Sequence, residues 1–140
     1  MNIFDCNRVI LCHFDSYSAA LVFARFGFSI LAPVPLPESA VPMPAPEEIE
    51  EQYDSDAVLD ALATQFNPAE LNMDEVFQAW MDSDSGPIRI HLARFSTLDA
   101  PHPSIEPFGG VFKPISEMRK MPMTELNLMR QVFNQIMGGG

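Results

Sequence analysis

Six prolines, at positions 33, 35, 37, 42, 44 and 46, fall within fourteen residues of this chain. Each proline removes a backbone donor and fixes φ, so neither a helix nor a central strand can run through them. Residues 33–46 are therefore expected to form a linker or a surface-hugging, polyproline-type arm.

Ahead of the prolines, Val9-Ile10-Leu11-Cys12-His13-Phe14 is a short, nearly continuous apolar run, which predicts a buried strand. Asp15 or Ser16 can cap a helix over residues 18–26, Gly27 can end it in the left-handed region, and residues 28–31 can return as a strand. The expected start is thus a short β-α-β unit.

Beyond the arm, Ser55 can cap a helix that aligns Val58, Leu59, Leu62 and Phe66, and Asn67-Pro68 can start a new turn. Asn72 is expected to cap a further helix whose stripe is Met73, Val76, Phe77, Trp80 and Met81, with Asp74 and Glu75 in its positive first turn. Trp80 should anchor the core. Residues 88–95 then alternate, Ile88, Ile90 and Leu92 against Arg89, His91 and Ala93, which predicts a half-buried strand. A long loop over 96–110, a strand at 111–113 and a final helix over 123–137 complete the pattern, with Leu126, Met129, Phe133, Ile136 and Met137 as its apolar stripe. The fold class is α+β: a β-α-β start, an acidic helical middle at 47–84 and a β-β-α end, with a small mixed sheet packed against helices. At 140 residues and 47% apolar composition, one domain spanning 1–140 is expected.

Charge is segregated. Between Glu38 and Asp84 there are thirteen carboxylates and no lysine or arginine, within a chain whose net charge is −11. Nucleic-acid backbones are bound through cationic side chains that release counterions, so this balance argues against a nucleic-acid partner. No run of 18 apolar residues occurs, which predicts no membrane-spanning helix. Two cysteines, Cys6 and Cys12, are too few for a disulfide framework and suggest a reduced, cytoplasmic setting.

Motifs that carry chemistry are sparse. Cys12 and His13 are neighbours on a strand and point to opposite faces, so they cannot act as a thiolate–imidazole pair. Asp82-Ser83-Asp84-Ser85-Gly86 misplaces the glycine of a calcium loop and has Ala93 where the bidentate glutamate belongs. Met118, Met121 and Met123 have thioethers that can hold Cu(I), but packing under the final helix explains them better, since a copper carrier in a reduced setting would more usually employ thiolates. Zinc spacing and the phosphate-loop and nucleophile-elbow patterns are absent, and no cofactor or metal is expected. Gly138-Gly139-Gly140 is better explained as helix termination than as an activated carrier tail.

The best-supported expectation is a non-enzymatic, acidic protein-interaction module, an adaptor, assembly factor or regulator. It would hold a basic protein partner, or a second copy of itself, through Leu36, Val41, Met43, Glu47, Glu48, Glu50 and Glu51. The alternative is a ligand-binding or enzymatic domain with a pocket between strand 88–95 and loop 96–110, where His91, Arg89 and His102 would act. An acidic decoy that blocks a nucleic-acid-binding protein is a third reading.

Overall fold

A computed structural model describes residues 2–66 and 70–138. The turn expected at Asn67-Pro68 and the last two glycines of the tail lie outside those residues. Among the described residues the chain forms seven strands and three α-helices, an α+β arrangement around one mixed sheet. The strands are β1 (Asn7–Asp15), β2 (Ala20–Phe26), β3 (Leu31–Ala32), β4 (Val41–Met43), β5 (Leu71–Ser83), β6 (Gly86–Phe95) and β7 (Gly110–Lys113). The helices are α1 (Ser55–Phe66), α2 (His102–Ile105) and α3 (Met123–Met137).

The sheet order is β4-β5-β6-β1-β2-β7, with β3 paired to the first half of β1. β1 and β6 run parallel, from Asn7 opposite Arg89 to His13 opposite Phe95, and the other pairings are antiparallel. Both faces are covered. Val58 and Leu62 of α1 and Ile105 of α2 pack with Val9, Leu11, Ala93 and Phe95 on one face. Leu128, Met129 and Val132 of α3 pack with Ile10, Cys12, Ile90 and Leu92 on the other. Strands covered on both sides read as unbroken apolar runs, which is why β1 was recognisable.

The helix expected over 18–26 is instead β2, the second arm of a hairpin with β1. Leu21 and Phe23 join the α3-side core and Ala24 the opposite one, so alternation across two buried faces overrides the helix preference of the alanines. Gly27 does have a positive φ, +66°, but it serves a tight turn in which Phe26 and Ser29 exchange backbone hydrogen bonds of 2.7 and 3.2 Å. The β-α-β start is thus a β-hairpin followed by the short β3.

The helix expected from Asn72 is also a strand, β5, broken by a bulge between Asp74 and Ala79. The Asp74 side chain accepts from the N–H groups of Val76 and Phe77, both at 2.9 Å, so the residue that resembled a helix cap shapes the bulge. After the bulge Ala79 and Met81 face α3, while Trp80 faces the layer of α1. Apolar residues on both faces plus one irregularity reproduce a helical spacing without a helix. Among the described residues the acidic middle is helical only in α1 and in a single 3-10 turn, Glu51–Tyr53.

Residues 33–46 run along the surface and are tied down. Arg8 Nε donates to the Pro35 carbonyl at 3.3 Å, the Asp84 N–H donates to Ser39 Oγ at 3.2 Å, and β4 pairs with β5 despite Pro42. An edge strand tolerates proline because one side of its backbone has no neighbour to bond. α3 forms where expected but buries Glu125, Leu128, Met129 and Val132, leaving Phe133 and Met137 exposed.

Candidate functional site

The most polar part of the interior lies beneath the start of α1. A row crosses the sheet there, with Met43, Trp80, Arg89 and Asn7 side by side on β4, β5, β6 and β1. The 3-10 turn Glu51–Tyr53 lies over it: the Tyr53 ring meets Trp80 edge-on at 4.7 Å, and Tyr53 Oη donates to the Pro87 carbonyl at 3.1 Å. Arg89 is only 9% exposed. Its Nη1 donates to the Tyr53 carbonyl at 2.9 Å, and its guanidinium carbon stands 5.8 Å from the centre of the Trp80 ring, within cation–π range. Burial lowers the pKa of Arg89, and the nearby Asp54 carboxylate opposes that shift.

His91 sits beside this row, 2% exposed. Asn7 Nδ2 donates to the carbonyls of Ile3 and Gln52 at 3.0 and 2.8 Å, which turns Asn7 Oδ1 toward His91 Nε2 at 2.7 Å. Nε2 must therefore carry the proton, and Nδ1 offers a lone pair to the Ser55 hydroxyl at 3.5 Å. Hydroxyl, imidazole and amide follow one another as nucleophile, base and orienting group do in a hydrolase. The electrostatics do not support that role. Burial, and secondarily the Arg89 charge, push the His91 pKa down to about 3. A base roughly four pH units below neutrality takes up a hydroxyl proton poorly. The arrangement satisfies buried polar groups and pins the first turn of α1 to β1 and β6.

Above this floor the surface is acidic. Ile49, Glu50, Glu51, Asp54, Ser55, Asp56, Glu75 and Arg89 line an open basin of about 590 Å³. Asp54, rather than Ser55, caps α1, its Oδ2 accepting from the Ala57 N–H at 3.0 Å. Among the described residues the ion pairs are Arg94–Asp74 and Lys113–Glu117, both at 3.6 Å, so the basin's five carboxylates lack a salt-bridge partner. Ile49 stands among them 43% exposed.

The residues singled out from sequence do not converge. Glu50 and Glu51 line the basin, while Glu47 and Glu48 are exposed outside its lining. Val41 is 55% exposed on the edge strand, Met43 lines a small hollow against α3, and Leu36 packs against the α3-side core. Of the three residues expected in one pocket, Arg89 and His91 are buried beneath α1, whereas His102 is exposed on α2 with its ring 5.3 Å from that of Phe112. A cleft of about 590 Å³ does lie at the end of β6, formed by residues 94–98 with residues 14–17 and 72–76, and the Arg94–Asp74 pair belongs to it. None of His91, Arg89 and His102 reaches it.

The roles of Asn7, Ser55 and Tyr53 in this site are not legible in the sequence, where Ser55 reads only as a helix cap, because they depend on strand register and not on spacing along the chain. Cys12 and His13 do diverge: Cys12 enters the α3-side core, where burial pushes its thiol up to about 12, and His13 Nε2 lies 2.8 Å from the Thr97 carbonyl. No group of three or more histidine, cysteine, aspartate or glutamate side chains among the described residues is placed to hold a metal ion. No protein-family model matches the chain, and no curated protein is significantly similar to it in sequence.

Proposed function

We propose that the chain is a non-enzymatic interaction module that receives a basic, partly apolar protein segment in the basin at the start of α1. The observation that carries this reading is the convergence of Glu50, Glu51, Asp54, Asp56 and Glu75 on one concavity without a salt-bridge partner among the described residues. Carboxylates left unpaired around a shared hollow supply steering and orientation to a cation-bearing partner. Ile49 supplies an apolar contact at the same place, and lasting affinity needs such anchors. The buried Arg89 beneath the floor limits the field within the basin, which favours a partner whose cations engage the rim.

The test compares two triple variants of equal charge. Glu50→Gln/Glu51→Gln/Glu75→Gln removes charge from the basin; Asp82→Asn/Asp84→Asn/Glu106→Gln removes as much from elsewhere. Binding of a lysine- and leucine-rich peptide, measured by anisotropy at two salt concentrations, should weaken at least tenfold in the first variant and less than threefold in the second. Equal weakening means that the acidic residues form only a solvating surface.

The cleft at the end of β6 favours a second reading, a small-ligand site, because it opens beyond the carboxyl ends of the parallel strands β1 and β6, where open sheets receive ligands. Saturable chemical-shift changes at Tyr17 and Leu98, with none at Ile49, on adding a bound metabolite fraction would favour it over the basin.

A further inference from the structure

Only eight lysines and arginines occur in a chain of net charge −11, and three of them, Arg25, Arg119 and Lys120, line one cleft. Arg25 comes from β2 and the other two from the connection between β7 and α3. The cleft has a volume of about 430 Å³, and the rest of its wall includes Phe28, Met118 and Met121. Glu117 also lines it, but that carboxylate is paired with Lys113 at 3.6 Å. Arg25 Nε is fully buried and has no hydrogen-bond partner. Among the described residues Arg25 also has no salt-bridge partner, so its charge remains to attract an anion that enters the cleft. Phe28 is 81% exposed, whereas Met118 and Met121 are buried behind the cleft, so the apolar surface open to a ligand is chiefly the Phe28 ring.

We propose that this cleft binds a small amphipathic anion, a carboxylate carrying a short apolar chain or ring. The carboxylate would meet Arg25 with Arg119 and Lys120 at the rim, and the apolar part would lie against Phe28, close to the buried Met118 and Met121. Size and charge follow from the surroundings. A polyanion or an anionic membrane would extend over a surface dominated by carboxylates, whereas a single charge feels mainly the cations within a Debye length of about 8 Å. A ligand lacking the apolar part would leave the Phe28 ring wet and forgo the affinity that covering it supplies.

The experiment uses the whole chain with methionine methyl groups labelled by carbon-13 and three probes: octanoate, 1-octanol and acetate. Octanoate should shift the Met118 and Met121 methyl signals saturably with one-to-one stoichiometry, and acetate or 1-octanol at the same concentration should not. Arg25→Gln should weaken octanoate at least tenfold. Because Arg25 is partly buried, the exposed double variant Arg119→Gln/Lys120→Gln is measured as well and should weaken it at least threefold while leaving the remaining spectrum unchanged. The proposal is overturned if octanoate gives no saturable shift, if 1-octanol matches it, or if the folded double variant binds octanoate as the wild type does.

Discussion

Asn7 Oδ1 accepts a hydrogen bond from His91 Nε2 at 2.7 Å, across the parallel pair of strands at the centre of the sheet. That bond fixes the tautomer of a histidine that burial keeps neutral down to about pH 3. The unfolded chain carries an ordinary imidazole, which titrates near 6.5. Between these two values the unfolded state holds a proton that the native state does not. The stability contributed by neutral His91 is therefore complete above about 6.5 and is withdrawn as pH falls toward 3. Urea unfolding should give a stability about 2 kcal/mol lower at pH 5 than at pH 7.5 from this residue. His91→Gln should flatten that difference, since glutamine can still donate to Asn7; an unchanged pH slope would refute the assignment.

Trp80 is fully enclosed by Tyr53, Arg89 and its own strand neighbours, yet its indole Nε1 has no hydrogen-bond partner. Trp80→Ala should cost roughly 3–5 kcal/mol by leaving a cavity beneath the acidic basin. Trp80→Phe should cost less than half as much, because it keeps an aromatic face and removes the unpaired donor. Denaturant titration separates the two, and native tryptophan emission matching free indole in water would contradict the burial itself.

Adjacent glycines should respond differently to the same change. A Cβ on Gly110 would lie 2.7 Å from the Phe26 ring and 2.8 Å from Ile105 Cβ, so Gly110→Ala should cost roughly 1–3 kcal/mol through displaced packing. Gly109 has open space around it but a φ of +78°, so Gly109→Ala should cost about 1 kcal/mol from backbone strain alone. Thermal unfolding of both variants checks the order, and a Gly110→Ala variant as stable as the wild type would show that β2 and α2 are not held against β7 as described.

The two thiols should separate by labelling. Cys12 is buried with its pKa raised to about 12, while Cys6 is partly exposed, its pKa raised by burial and by Asp5. Iodoacetamide at pH 8 should modify Cys6 in the native protein and reach Cys12 only after unfolding. Mass spectrometry that finds Cys12 alkylated at a comparable native rate would count against the packing of β1.

What the sequence made legible were elements with one clear signal, an unbroken apolar run for β1 and a regular period for β6, α1 and α3: these and β7 stand close to where residue patterning puts them. Where a strand is buried on both faces, as at Leu21 to Ala24 or at Ala79, Trp80 and Met81, period-two alternation disappears and helical spacing can arise by coincidence. Glycine and aspartate signals survived this error with a different meaning, Gly27 as a hairpin turn and Asp74 as the start of a bulge. The acidic basin was half visible. Glu50 and Glu51 belong to it, but Glu75 joins them only because β5 passes beside the start of α1, and no local pattern encodes that proximity. The same reason hid the Asn7–His91–Ser55 chain, whose members come from three separate elements.

The central position of β1 also bears on how the protein is made. β1 is translated before its parallel neighbour β6, which emerges only after the arm, α1 and β5 have been synthesised. At about 5–20 residues per second, the hairpin of β1 and β2 waits for several seconds with one edge of Val9, Ile10 and Leu11 unpaired. An apolar strand edge of that kind is a template for other nascent chains. Pairing between distant segments also slows the closing step itself. Until β6 is synthesised and pairs with it, that edge of β1 stays open to other strands.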